Sequence, residues 1–348
     1  MNNISTAKRI DWVDIAKGFG MLLIIFGHCE IGRFRDIVFT FHVPLFFICS
    51  GFTLRVSQTA EEFKKNSKRA FIYLMANAFG ISLMETILKI VFVPENRATV
   101  GALLHYLSER TLVFIGGSGA EITFGSKTLT YVGVVWFLMA LFWARTIFDL
   151  LQLICRKKAV FYLMIAVISI GGYILGHVQW LPMSIDVAFV IQPLFLFGHL
   201  LKKVDLKKQP LLVCAGSLIA WLGLLLFLGI AGKTVFELAI RSYPLYPLCF
   251  VCAIAGSMFI MGLGVVLDKY LSVPSVPLKI VGKHSIVMFW VHGLAFCVPF
   301  INDLFYVMGN DYVNALIRIL IECSLFAMVL LLIRLFHKPK SNESDKMM

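Results

Sequence analysis

Apolar positions along this chain run in long, nearly unbroken stretches, unlike the alternating or one-sided patterns of a domain that folds in water. Taking a membrane crossing as about 20 apolar residues, the stretches fall at 15–29, 37–54, 71–93, 129–151, 160–176, 185–201, 211–230, 245–267, 285–300 and 313–336. The pattern predicts an all-α polytopic bundle of about ten transmembrane helices. Residues 1–336 form one integral-membrane domain on this reading, followed by a polar cytoplasmic tail at 337–348. The one long connection, 94–128, carries Gly116, Gly117 and Gly119 and reads as an external loop, either a lid or a connector.

The polar segments between the stretches alternate in charge. Lys8, Arg9 and Lys17 come first, then Arg55, Lys64, Lys65, Lys68 and Arg69, then Arg156, Lys157 and Lys158, then Lys202, Lys203, Lys207 and Lys208. Lys269, Lys279 and Lys283 follow, and Arg334, Lys338, Lys340 and Lys346 close the series. These groups hold 22 basic residues; the intervening segments hold 7, at Arg33, Arg35, Arg97, Arg110, Lys127, Lys233 and Arg241. Because basic loops stay in the cytoplasm, both termini are expected there, and an odd number of crossings would break the alternation.

Composition sharpens this picture. At 59% hydrophobic and 15% charged residues over 348 positions, with mean hydropathy +0.86, the chain is too apolar for a soluble fold of this size. The net charge of +12 would point to nucleic acid in a soluble protein; here its clustering is explained by orientation, and no nucleic-acid partner is expected. The eight cysteines lack a disulfide-framework spacing. Cys249 and Cys252 form a C-x-x-C inside an apolar stretch with no second ligand pair, so packing is favoured over a redox or metal site, and no metal is expected. Residues 1–14 are polar and no small-residue cleavage site follows the first stretch, so that stretch is expected to remain as an uncleaved helix.

Candidate chemistry comes from residues a bilayer tolerates poorly. The segment 11–28 reads DWVDIAKGFGMLLIIFGH. At about 100° per residue, Lys17 and His28 share a helix face, and Asp14 lies on it more loosely. Asp14 sits about 21 Å from His28 along the axis and cannot orient its ring. An acidic partner for His28 has to come from elsewhere, with Glu30, Glu85, Asp186 and Glu322 as the candidates. The plain alternative is a histidine at a helix end in the outer interface. His42 stands in an aromatic setting with Pro44 two residues on, which fits either a substrate vestibule or an interfacial helix start. Ser50 and Gly51 lack a nucleophile context and read as packing residues. The Lys64, Lys65, Lys68 and Arg69 cluster, placed in the connection after the second stretch, suits anionic lipid headgroups or the phosphates of a cytosolic cofactor. Trp136, Gln192, His199, Lys283, His284 and His292 are individually more often structural. Taken alone, this polarity fits a proton-coupled transporter nearly as well as an enzyme.

Several ordered motifs change that balance. DWVDIAKGFGMLLIIFGH (11–28), FHVPLFFICSGF (41–52), SKRAFIYL (67–74), VWFLMALF (135–142), DVAFVIQPLFLFGHLLKK (186–203) and IVGKHSIVMFWVHG (280–293) together resemble the acyltransferase 3 family of integral-membrane O-acyltransferases, in particular its fucose-acetylase-like members. The resemblance spans nearly the whole chain. It implies a membrane acyltransferase, in a bacterial cytoplasmic membrane, that moves an acyl group, usually acetyl from acetyl-CoA, to a hydroxyl of a cell-surface carbohydrate or other envelope molecule. It implies that His28 is catalytic and that Lys68 and Arg69, extended here by Lys64 and Lys65, contact coenzyme A. Many relatives carry Arg-x-Arg where this chain reads Lys68, Arg69, Ala70. His42, Lys17, Asp14 and His292 remain candidates for acceptor binding or proton transfer. The expected partners are acyl-CoA, an envelope acceptor and membrane lipid. Transfer by general base or through an acyl-enzyme is left open. The alternatives are a small-solute transporter or a component of polysaccharide export.

Overall fold

The computed structural model describes residues 9–29, 32–124, 127–230, 232, 236–295, 297–304 and 308–336. Fifteen α-helices follow one another. They are α1 (Asp11–Gly27), α2 (Arg33–Phe39), α3 (His42–Thr53), α4 (Ala60–Phe92), α5 (Val100–Gly116), α6 (Trp136–Ile154), α7 (Lys158–Val178), α8 (Ile185–Val190), α9 (Gln192–Leu201), α10 (Pro210–Ile230), α11 (Leu248–Tyr270), α12 (Val276–Lys283), α13 (Ser285–Ala295), α14 (Pro299–Leu304) and α15 (Asp311–Phe336). A hairpin of β1 (Ile122–Phe124) and β2 (Lys127–Leu129) pairs antiparallel with Ile122 opposite Leu129. Glu30 and the tail at 337–348 lie outside the described residues.

The all-α reading holds. Among the described residues, seven helical segments are long and apolar enough to cross a membrane: Arg33–Thr53, Ala60–Phe92, Gly133–Ile154, Lys158–Val178, Pro210–Gly229, Leu248–Tyr270 and Asp311–Phe336. The stretch at 185–201 becomes the pair α8 and α9, bent by 56° at Ile191, with Pro193 at the start of α9. Proline lacks the N–H that would continue the ladder. The stretches at 15–29 and 285–300 are occupied by α1 and α13, of 17 and 11 residues. Apolar side chains stand exposed along the crossing helices, among them Leu163, Ile219, Leu226, Leu320 and Leu331, as expected where lipid tails are the solvent.

Two local expectations are corrected. The connection 94–128 is not a loop throughout. Thr99 accepts a hydrogen bond from the Ala102 N–H at 3.0 Å, caps the 17 residues of α5, and the helix stops at Gly117 with φ +56°, a conformation that favours glycine. The basic cluster is likewise helical. Thr59 accepts from the Glu62 N–H, and the Glu62 carboxylate turns back to accept from the Gln58 N–H. This closed start opens a helix of 33 residues, so Lys64, Lys65, Lys68 and Arg69 ride on its first turns.

Helix α1 is central, packed against α3, α11, α12, α13 and α15. Its approach to α12 is so close that a Cβ at Gly18 would meet the carbonyl of Leu278, and one at Gly282 the carbonyl of Asp14. Between α3 and α9 the same holds for Gly51 against Phe195 and Gly198 against Ile48, which supports the packing role read for Gly51. At the end of the molecule near the hairpin, Arg241 and Asp186 form a fully buried pair at 2.8 Å, and Arg241 also donates to Ser118 and to the carbonyl of Ala239. Asp186 is thereby committed to this buried ion pair.

Candidate active site

Two cavities lie end to end inside the bundle. The larger, of about 490 Å³, is lined by His28, His42, Glu85 and Trp136 among others; the smaller, of about 180 Å³, by Lys17, Ser50, Tyr73 and Ser285 among others. Five helices run through both, and each yields the same order; on α4 the linings pass from Lys89 and Glu85 to Leu74 and Tyr73. On α1 the linings pass from His28 to Lys17, on α3 from His42 to Thr53, on α6 from Trp136 to Leu141, and on α13 from Cys297, just past its end, back to Ser285. One side chain from each of α1, α3, α6 and α13 lines both cavities: Met21, Phe46, Phe137 and Phe289. Helices α1, α4 and α13 thus traverse the site in one sense and α3 and α6 in the other, and an apolar septum separates its two halves.

His28 caps α1 and is exposed to the larger cavity. Its Nδ1 lies 2.8 Å from the carbonyl of Ile24. A carbonyl only accepts, so Nδ1 carries the proton and Nε2 keeps the lone pair. His42 repeats the device with Nδ1 at 2.9 Å from the carbonyl of Val38. The Phe39 ring lies against both, with centroids 5.8 Å from His28 and 4.5 Å from His42, and the Arg35 guanidinium covers that ring at 4.6 Å.

His292 is not on the cavity wall. It is fully buried behind His28, with ring centroids 5.1 Å apart and planes at 73°. Its Nδ1 donates to Glu322 Oε2 at 3.0 Å. Arg318 donates through Nε to Glu322 Oε1 at 2.9 Å and through a terminal nitrogen to the backbone carbonyl of His28 at 3.1 Å. The chain of contacts closes on itself: His28 ring, His292, Glu322, Arg318, His28 backbone. Of the described acidic candidates, Glu322 is therefore the one that joins the histidine cluster, through His292. Glu85 lines the cavity but is engaged by Lys89 at 2.7 Å and Arg110 at 3.4 Å. Arg318 was not singled out in the sequence. An Arg and a Glu four residues apart within an apolar stretch is the signal that marks it.

The remaining candidates divide between the two cavities and their surroundings. Lys17 lines the smaller cavity and pairs at 3.1 Å with Asp14, which is buried and also held by Arg9 at 2.6 Å. Asp14 is thus a structural counter-ion. Lys64, Lys65, Lys68 and Arg69 are exposed on α4. Lys65, Arg69 and Tyr73 recur every fourth residue and so form one stripe, and Tyr73 lines the smaller cavity. Gln192 is structural, donating to the carbonyls of Ala144 and Ala188. The mouth of the larger cavity carries Arg35 and Glu237 at 3.7 Å, a pair with no local sequence signal.

No curated protein and no solved structure matches this chain. The family model described as the acyltransferase domain matches residues 10–337, nearly its whole length. The chain belongs to the acyltransferase 3 family and is a membrane acyltransferase.

Proposed function

We propose that the protein transfers an acyl group, acetyl from acetyl-CoA, to a hydroxyl of a cell-surface carbohydrate or other envelope molecule, with donor and termini on the cytoplasmic side. The observation that carries this reading is the pair of cavities meeting end to end: one leads from the basic stripe of α4, the other holds His28. Coenzyme A phosphates meet Lys64, Lys65, Lys68 and Arg69. The thioester arm enters the smaller cavity, whose lining is mostly apolar with hydroxyls at Ser50, Thr53, Tyr73 and Ser285, and presents its carbonyl at the septum.

The acceptor enters the larger cavity from the opposite side. Glu85 and Glu237 offer carboxylates to sugar hydroxyls, Arg35 and Lys89 offer donors, and Tyr131 and Trp136 offer ring faces. His28 Nε2 takes the proton of the acceptor hydroxyl as its oxygen attacks the thioester carbonyl. The C–S bond breaks, the ester C–O bond forms, and the coenzyme A thiolate leaves with the proton returned by the imidazolium. A positioned base of this kind contributes about 10²- to 10⁴-fold. His292, Glu322 and Arg318 hold the ring and backbone of His28 and act as positioning residues.

The test is acyl transfer by purified protein in liposomes from labelled acetyl-CoA, joined to mass spectrometry of surface glycans from cells with and without the gene. A lost acetyl mass with coenzyme A-dependent labelling is expected. Solute uptake without any coenzyme A dependence would overturn the assignment in favour of transport.

A further inference from the structure

A third cavity, of about 460 Å³, lies at the ends of helices that carry the basic clusters. Its polar lining is Arg156 just past the end of α6, Lys158 at the start of α7, His199 and Lys203 at the end of α9, the amides of Gln58 and Gln152, and Ser57 and Tyr162. No carboxylate is among its lining residues. Among the described residues, Arg156, Lys158 and Lys203 pair with no acidic side chain. Arg156 and Lys158 also stand at the N-terminal end of the 21-residue α7, where the helix dipole is already positive. Cations gathered there repel one another and the helix end, and an anion relieves both.

The wall is braced from behind. Buried Asp149 accepts from the N–H and hydroxyl of the lining residue Ser57, both at 2.7 Å, while Asn66 donates to the same hydroxyl at 3.0 Å. Lys202 donates to the carbonyl of Leu54 and ties α9 to the end of α3. The floor is apolar, formed by Leu153, Phe161, Leu196 and Leu200. On one flank the lining residue Tyr162 is itself exposed on α7, beside the exposed apolar side chains of Val160 and Leu163. No lining residue is shared with either cavity of the acyl-transfer site.

We infer that this cavity binds the phosphate headgroup of an anionic phospholipid from the adjacent leaflet, with the glycerol and upper acyl chains on its apolar floor. The phosphate of a coenzyme A molecule shares the same chemistry. The lipid is favoured because the cavity adjoins a lipid-facing helix surface and stands apart from the thioester route.

The experiment is native mass spectrometry of the full chain in detergent, titrated with phosphatidylglycerol or with phosphatidylcholine of the same acyl chains. Retention of phosphatidylglycerol over phosphatidylcholine is expected. In a triple variant, Arg156→Gln with Lys158→Gln and Lys203→Gln, the apparent affinity for it should fall about tenfold or more. Lys208→Gln with Lys269→Gln, which removes cations outside the cavity, should leave it unchanged. Equal retention of the two lipids, or unchanged retention in the triple variant, would overturn the inference. Displacement of phosphatidylglycerol by free coenzyme A would overturn the lipid assignment and give the site to the donor. If the triple variant does not fold, Arg156→Gln alone carries the comparison, because its side chain is exposed and a partial loss is still resolved.

Discussion

The ring of His292 stands 5.1 Å from that of His28 and, on its other side, hydrogen-bonds to Glu322 at 3.0 Å. His292 therefore links a buried carboxylate to a cavity-facing imidazole, although 264 residues separate the two histidines in sequence. The arrangement ties the position of His28 to three side chains, His292, Glu322 and Arg318, that do not line the cavity.

On the proposed mechanism, Glu322→Gln should lower kcat about tenfold or more while leaving KM for acyl-CoA near wild type, since the residue then positions the base and does not bind the donor. It should also destabilise the fold, because it strands the buried Arg318; broken buried pairs cost about 3–5 kcal/mol. Arg318→Met combined with Glu322→Leu removes both charges and should recover stability without recovering kcat. Steady-state kinetics and thermal unfolding read the two effects separately.

His28→Ala should reduce transfer by at least about 10²-fold with insertion and folding intact. Labelled-acetyl transfer, measured beside a size-exclusion profile, checks this. Wild-type rates in that variant would remove His28 from the mechanism.

Replacing Lys68 and Arg69 with glutamine should raise KM for acyl-CoA and leave KM for the acceptor unchanged. The two side chains are exposed on α4 and lie outside both cavities, so the effect is confined to capture of the donor. An unmoved donor KM would assign the cluster to lipid contact.

On the proposed mechanism, the septum sets how much acyl chain can reach His28. Phe289→Ala shortens one of its four side chains and should improve the rate with butyryl-CoA relative to acetyl-CoA by about tenfold or more, the scale on which apolar pockets discriminate by small increments of chain length. Competition between the two donors gives the ratio directly.

Burial raises the Glu237 carboxyl above the ordinary carboxylate range, with Arg35 opposing and Asp36 reinforcing that shift. The folded protein then holds a proton that the unfolded chain releases. This contribution to stability is full below about pH 4.3, the unperturbed value, and is lost as pH rises through the raised one. Unfolding midpoints measured across that interval should decline in the wild type, and the decline should be smaller in Glu237→Gln.

How far the site could be read in advance differs from element to element. His28 and Lys17 were placed on one face of one helix by the 3.6-residue period alone, and they do line the two successive cavities. The basic cluster of α4 is visible in the sequence as charge but not as helix, because the Thr59 to Glu62 cap that starts the helix is a local signal easily outweighed by polarity. The same weighting of glycines hid α5. The depth of His292, a candidate for acceptor binding or proton transfer by sequence, is not legible there because a lone histidine in an apolar helix carries no mark of it, and Arg35 with Glu237 carries no mark at all.

The amino-acid sequence by itself determined the solvent of this protein, its helical class, the sense in which its basic segments alternate and the family to which its ordered motifs belong, since all of these depend on composition, period and order along one chain. The tertiary structure alone decided that Glu322 reaches His28 through His292, that Asp14 and Asp186 are committed elsewhere, and that four apolar side chains divide the site. Those are relations between helices remote in sequence, set by close packing such as Gly18 on Leu278 and Gly51 on Phe195, and no local pattern encodes which faces of two distant helices will meet.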